Sequence, residues 1–97
     1  MTSETTSEVD ELAPFLGQPV VLDTRGEIIY LGTLKHVGGW FLELTDADVH
    51  DMVDSRTSKE HYLMESARHG VRKNRHQVFV RKSEVVSISL LSQVILY

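Results

Sequence analysis

Extended, apolar stretches dominate the first half of the chain. Residues 19–23 and 28–37 are rich in β-branched and aromatic side chains, which favour strands, and residues 40–44 are an apolar run in which Glu43 is the single polar residue. The pair Gly38-Gly39 is typical of a hairpin turn between the last two stretches. The pattern predicts three antiparallel strands in a meander, the third with inward side chains from Trp40, Leu42 and Leu44.

Strand character returns near the end of the chain, at residues 77–81 and 85–90. In the last of these strands, one face is predicted to carry Val86, Ile88 and Leu90. Residues 94–97 are also apolar and extended, so we expect them to pair with another subunit or to dock on the barrel. Five short strands, bent in the middle of the second at Gly32, predict a small closed barrel.

A short helix is predicted near the N-terminus. Ser7 and Asp10 resemble a capping box, and Val9 and Leu12 share one helical face. Pro14 disfavours helical geometry at the residue before it, so we expect the helix to end or kink near Ala13. The polar residues 1–6 are expected to be disordered.

Residues 46–75 are polar and mostly helix-prone, which predicts a helical insertion between the third and fourth strands. Thr57 and Glu60 have the spacing of a capping box, and Gly70 suits a helix end, so we expect a helix over 58–69. A preceding short helical turn, capped by Asp46 or Asp48, would carry Val49, Met52 and Val53.

Composition and charge limit the possible functions. The 97 residues fit one domain, and they include no cysteine for a disulfide or a thiolate metal site. No apolar run has the length of a transmembrane helix and the N-terminus lacks a signal peptide pattern, so we expect a cytoplasmic protein without membrane contact.

The net charge of −4 argues against a broad nucleic-acid surface but not against a local one. Residues 43–54 carry acidic charge only, whereas residues 68–82 carry basic charge only. The basic segment is expected to contact RNA, an acidic partner or the acidic segment, or to form a solvated helix end.

Two parts of the chain resemble the two motifs of the Sm-like (LSm) family. The first motif matches Val20 to Leu22, Gly26, Gly32-Thr33-Leu34, Gly38-Gly39 and Trp40 to Leu44. The second matches Val78 to Lys82, followed by Val85 to Ile88. The resemblance covers about residues 8–44 and 77–90.

This resemblance implies a mainly β fold: an SH3-like, five-stranded Sm-fold barrel over residues 7–97, with an N-terminal helix and a helical insertion between strands 3 and 4. It also implies rings of about five to seven subunits, in which residues 77–81 of one chain pair with residues 85–90 of the next. That pairing would remove the open edges of the sheet.

RNA-binding members of the family hold a base with an Asp, an Asn and an Arg. The chain has Gly38-Gly39-Trp40-Phe41 in place of the stretch with the Asp and the Asn, and Lys82 in place of the usual glycine, so only Arg81 matches. Arginine donates to phosphate and stacks on bases, as aromatic rings do. The candidate RNA-binding residues are therefore His36, Gly38, Gly39, Trp40, Phe41, Arg81 and Lys82. The alternative is a solvated turn in which Arg81 pairs with Glu84 or Glu43.

Other chemistry has less support in the sequence. A helix would place Asp46, His50 and Asp54 on one face, as in some metal sites, but a polar surface explains them better. Ser83, Ser87 and Ser89 lie in no nucleophile elbow, so we expect no enzyme, no cofactor and no metal.

Two functions follow from this sequence. The first is a ring-forming protein that binds single-stranded RNA, with a chaperone-like role. The second is an oligomeric scaffold of Sm fold that binds a protein partner through the insertion and does not bind RNA.

Overall fold

The two strands closest to the C-terminus lie at opposite edges of a single antiparallel sheet. The computed structural model describes residues 11–96. In the order β4-β3-β2-β1-β5, the strands are Arg75–Arg81, Phe41–Asp51, Ile28–Val37, Pro19–Thr24 and Val85–Leu90. An α-helix, α1 (Lys59–His69), lies between β3 and β4, as the sequence predicts. The hairpins β1–β2 and β2–β3 form the predicted meander.

Short 3₁₀ helices surround these elements at Ala13–Phe15, Lys82–Glu84 and Leu91–Gln93. Residues 11 and 12 are α-helical and the 3₁₀ turn follows at once, so the predicted change of geometry near Ala13 is confirmed. The predicted capping residues Ser7 and Asp10, with Val9 and the predicted disordered residues 1–6, lie outside the described residues. No helix within residues 11–96 has both the length and the apolar character to cross a membrane.

A close approach between β2 and β3 bends the sheet. A Cβ atom on Gly32 would lie 3.0 Å from the Cβ of Ala47 and 3.1 Å from the carbonyl oxygen of Thr45. Opposite Gly32 the register of β3 shifts, because Thr33 pairs with Thr45 while Leu31 pairs with Asp48. Two residues of β3, Asp46 and Ala47, therefore lie opposite Gly32. The φ of Asp46 is 49°, a left-handed conformation that aspartate tolerates better than most residues.

The sheet buries apolar side chains on both faces. One cluster fills the inside of the curved sheet and includes Val20, Leu22, Leu34, Val37, Leu42, Leu44, Ala47 and Val80. Leu12 and Phe15 from the N-terminal turn pack against it. The second cluster lies on the other face, with Val21, Ile29 and Leu31 of the sheet beneath Tyr62 and Leu63 of α1. This second face explains why three successive residues of β1, Val20 to Leu22, are all apolar.

Helix α1 is capped by Ser58, whose side chain accepts a hydrogen bond from the backbone N–H of His61 at 3.1 Å. The cap is therefore Ser58, and the predicted cap at Thr57 is wrong by one residue. Gly70 ends the helix with a φ of +91°, as predicted. Burying Tyr62 and Leu63 against the sheet contributes about 1.5–3 kcal/mol for each side chain.

A buried carboxylate also connects α1 to β3. Asp48 accepts hydrogen bonds from the Tyr62 hydroxyl at 2.6 Å and from the Asn74 side chain at 2.9 Å. The Asn74 side chain both accepts from and donates to the backbone of Val49, so it continues the β3 ladder beyond the end of β4. Loss of water and the hydrogen bond to Asp48 together raise the pKa of Tyr62 well above its ordinary value.

Several further details of the sequence prediction are wrong. β3 continues to Asp51, so the predicted short helical turn is a strand and the segment between β3 and β4 spans residues 52–74. The aspartates of this strand suggested a helix cap, because Asp has a low strand propensity and is common at helix N-termini. Trp40 does not point inward but is 74% exposed, since it lies in the turn before β3.

Val86 is 62% exposed, and Val85 instead packs on the first cluster together with Ile88 and Leu90. The cause is a register shift between β1 and β5 near Thr24. At the C-terminal end, Val94 packs on the second cluster, whereas Ile95 and Leu96 are exposed and belong to no strand.

The contact at Gly32 predicts a steric effect of a single methyl group. Gly32→Ala forces the backbones of β2 and β3 apart, so we expect the free energy of unfolding to fall by about 1–3 kcal/mol in urea denaturation. Gly26→Ala is the matched control, because a Cβ there meets no atom within 4 Å. Equal stabilities of the two variants would contradict the proposed close approach.

The bond between Tyr62 and Asp48 predicts a pH-dependent difference in stability. Tyr62→Phe leaves the buried carboxylate one donor short, which lowers the free energy of unfolding by about 1–3 kcal/mol at pH 7. Because the folded pKa of Tyr62 is raised, the unfolded state alone loses this proton above about pH 10. The free energy of unfolding of the wild-type protein then falls by up to about 1.4 kcal/mol per pH unit because of this group. Chemical denaturation from pH 8 to 11 should show that the wild-type protein and Tyr62→Phe become closer in free energy of unfolding above pH 10. A difference that stays constant over this range would contradict the account.

Candidate nucleic-acid interface

The end of β4 lies beside the turn between β2 and β3. β3 pairs with β2 on one side and with β4 on the other. Its first residue, Phe41, lies directly opposite Arg81, the last residue of β4. Residues that are about 40 positions apart in the chain therefore form one surface, consistent with antiparallel pairing. We call this surface the turn surface, and it contains His36, Gly38, Gly39, Trp40, Phe41, Arg81 and Lys82.

The guanidinium group of Arg81 lies over the ring of Phe41, with 5.3 Å between its central carbon and the ring centroid. This distance is typical of a cation–π contact. Among the described residues, Arg81 forms no ion pair with Glu43 or Glu84, and Glu43 instead accepts a hydrogen bond from Gln77 at 2.7 Å. The alternative of an Arg81 neutralised by either glutamate is therefore wrong for this structure.

Backbone hydrogen bonds fix the turn against the end of β4. Gly38 N–H donates to the carbonyl of Phe41 at 2.9 Å, and Lys82 N–H donates to the carbonyl of Trp40 at 2.9 Å. The Lys82 ammonium group lies 3.5 Å from the carbonyl of Gly39. A Cβ on Gly38 would lie 3.2 Å from the Phe41 carbonyl oxygen and 3.8 Å from the His36 ring, so the turn is closely packed.

Aromatic rings are exposed on the turn surface. The ring-bearing residues Trp40 and Phe41 are 74% and 39% exposed. Phe79, which is 54% exposed, lies two residues before Arg81 and thus on the same side of β4. Large exposed apolar side chains beside a cation are typical of surfaces that stack bases.

The sequence analysis did not include Phe79 in the site. It lies between Val78 and Val80 in an apolar run, so it resembled a core residue. Alternation with the exposed Arg81 was the signal that could have identified its outward direction.

The helical face considered for Asp46, His50 and Asp54 does not form. Asp46 and His50 lie in β3, so no helix aligns them with Asp54, and the helical premise was wrong. Within residues 11–96, no group of three or more His, Asp or Glu side chains is arranged to hold a metal ion. Within residues 11–96, one ion pair joins the acidic segment 43–54 to the basic segment 68–82. It is formed by Lys73 and Asp46, which are both exposed and lie 3.4 Å apart.

Comparison with known proteins gives structural matches only. No family model and no curated protein match the sequence. The Sm protein of Pyrococcus abyssii, solved in complex with a uridine heptamer, is 17% identical with a TM-score of 0.58, and the match covers 87% of this chain and 97% of that one. The SmAP (LSm) protein of Methanococcus vannielii is 18% identical with a TM-score of 0.58, covering 91% of this chain and 100% of that one.

A chain of the NatC complex bound to CoA is also similar, with 19% identity, a TM-score of 0.54 and coverage of 81% of this chain and 82% of that one. At these identities the comparisons show the fold, and the matches cover 81–91% of this chain and 82–100% of the other chains. The strand order, the helical entry into β1 and these similarities agree with the expectation from the two sequence motifs. The chain therefore has the Sm-like fold.

Proposed function

We propose that this protein binds single-stranded RNA on the turn surface. The observation that carries the proposal is the cation–π pair of Arg81 and Phe41 beside the exposed ring of Trp40. Arginine supplies charge for phosphates, and the rings supply flat surfaces on which bases stack. The role is binding without catalysis.

The similarity to an Sm protein solved with a uridine heptamer supports the choice of ligand. The turn surface, however, lacks the Asp and the Asn that hold a base in RNA-binding members of the family. Stacking is tolerant of sequence because every base has an aromatic face. We therefore infer that the protein binds oligo-U and oligo-A with similar affinity.

We also propose that copies of the chain form a closed ring. β4 and β5 are the edges of the sheet, and unpaired strand edges favour pairing with another chain. Exposed apolar side chains lie on both edges, with Phe79 on β4 and Val86 on β5. Pairing of β4 with β5 of the next copy repeats without leaving a free edge once the ring closes at about five to seven subunits.

The second candidate is a scaffold that binds protein through the segment between β3 and β4. Its support is the similarity to a chain of the NatC complex, together with the net charge of −4. The exposed aromatic rings and the unneutralised Arg81 favour RNA, so the scaffold is the outcome that remains if RNA does not bind.

Removing the Arg81 side chain should weaken RNA binding. Arg81→Ala removes a cation and the partner of the Phe41 ring, so we expect affinity for oligo-U and oligo-A to fall about tenfold at 50 mM salt. The slope of log affinity against log salt concentration should fall by about one. Fluorescence anisotropy at 50 and 200 mM salt measures both quantities.

Arg56→Ala is the matched control, because Arg56 is an exposed arginine outside the turn surface. No binding by the wild-type protein at 50 mM salt, or equal losses in both variants, would refute the RNA proposal.

A charge on the β5 edge should disrupt the ring. Val86→Glu places a carboxylate in the proposed β4–β5 pairing, so we expect light scattering to show a single chain where the wild type shows about five to seven. Val53→Glu is the matched control, since Val53 is 68% exposed in the turn after β3. A wild-type protein that scatters as a single chain would refute the ring.

A further inference from the structure

A second concave site lies at the other end of β3. A pocket of about 880 Å³ opens between α1, the end of β3 and the segment that leads into β4. This volume is within the range of small-molecule sites. Asp48, which lines the pocket, lies seven positions after Phe41 along β3, so roughly 20–25 Å of strand lies between the turn surface and this pocket.

Two stacked rings form part of the pocket wall. The rings of His50 and Tyr62 are nearly parallel, at 14°, with 4.0 Å between their centroids. The hydrogen bond from the Tyr62 hydroxyl to Asp48 fixes the orientation of the Tyr62 ring. The Nε2 atom of His50 is buried without a hydrogen-bond partner, which is an unfavourable state for a buried polar atom.

Cationic and imidazole side chains line the remaining wall. Arg72 and Lys73 are exposed at the pocket, and the imidazoles of His61 and His69 project from the same side of α1. Arg72 makes no ion pair within residues 11–96, and the pair of Lys73 with Asp46 is long and exposed. Such donors suit a phosphate group.

The two carboxylates in the pocket already have partners. Asp48 accepts from Tyr62 and Asn74, and Glu65 lies 3.7 Å from Arg68 and 3.6 Å from His69. Glu65 is paired with Arg68, whereas Asp48 accepts from two neutral donors and keeps its negative charge in the buried wall of the pocket. The charges of Arg72 and Lys73 lie at the exposed opening. A ligand that matches this arrangement has a flat ring at one end and an anion at the other.

We propose that this pocket binds a nucleoside phosphate, with the base beside the His50–Tyr62 pair and the phosphate at Arg72 and Lys73. The ligand is either a free nucleotide or the 5′-phosphorylated end of an RNA strand, which have the same chemistry. The site is separate from the turn surface and does not depend on its binding RNA.

Calorimetric titration with UMP and with AMP tests the site on the full chain. We expect saturable binding by the wild-type protein and about tenfold weaker binding by Arg72→Gln. Arg56→Gln is the matched control, because it makes the same change of charge outside the pocket. Arg81→Ala should also bind UMP like the wild type, which separates this site from the turn surface.

The ring resonances of Tyr62 and His50 provide a second measurement, since a base beside them should shift their ¹H–¹³C signals. The proposal is overturned by absence of UMP binding up to about 5 mM, by loss of binding in Arg81→Ala, or by inorganic phosphate binding as tightly as UMP.

Titration of the Arg81→Ala protein with hexauridylate, with and without a 5′-phosphate, distinguishes an RNA strand end from a free nucleotide as the ligand. A preference for the phosphorylated strand identifies a strand end as the ligand. Binding of UMP with no such preference identifies the free nucleotide.

Discussion

The contact between Gly32 and Ala47 is the constraint on which the other features of this fold depend. It brings the backbones of β2 and β3 so close that a side chain at position 32 has no room. The bend shifts the register of β3 by one residue at Asp46. β3 is thereby divided into a first part that contributes Phe41 to the turn surface and a second part that contributes Asp48 and His50 to the pocket.

The same bend gives the sheet two buried faces. The first part of β3 packs Leu42 and Leu44 into the inner cluster, whereas Asp48, after the bulge, points toward α1. The helix covers an outer cluster that the barrel alone would expose to water. The segment between β3 and β4 is therefore part of the core as well as a wall of the pocket.

Much of this architecture could be predicted from the sequence, because its signals are local. β2 has the predicted ends, and α1 begins one residue from the predicted position. The errors arise where a distant residue changes the local preference. The aspartates of β3 have low strand propensity, but Asn74 and Tyr62 satisfy Asp48 from positions far along the chain. No periodicity shows the register shift that exposes Val86, because it results from pairing with β1.

The turn surface was predicted from a family resemblance, and the structure brings its seven residues together through β-sheet pairing. Phe79 was missed because an apolar run does not show which member points outward. The pocket could not be predicted, since its residues come from β3, α1 and the segment before β4 and share no motif.

The proposed assembly depends on whether the free edges of the sheet, β4 and β5, are completed by another copy. Hydrogen–deuterium exchange of segments 75–81 and 85–90 measures this directly at the concentration where the wild type assembles. The account predicts that both segments are protected as strongly as segment 28–37, and that Val86→Glu releases the protection. Fast exchange of about half the amides in both edge segments of the wild-type protein would contradict it.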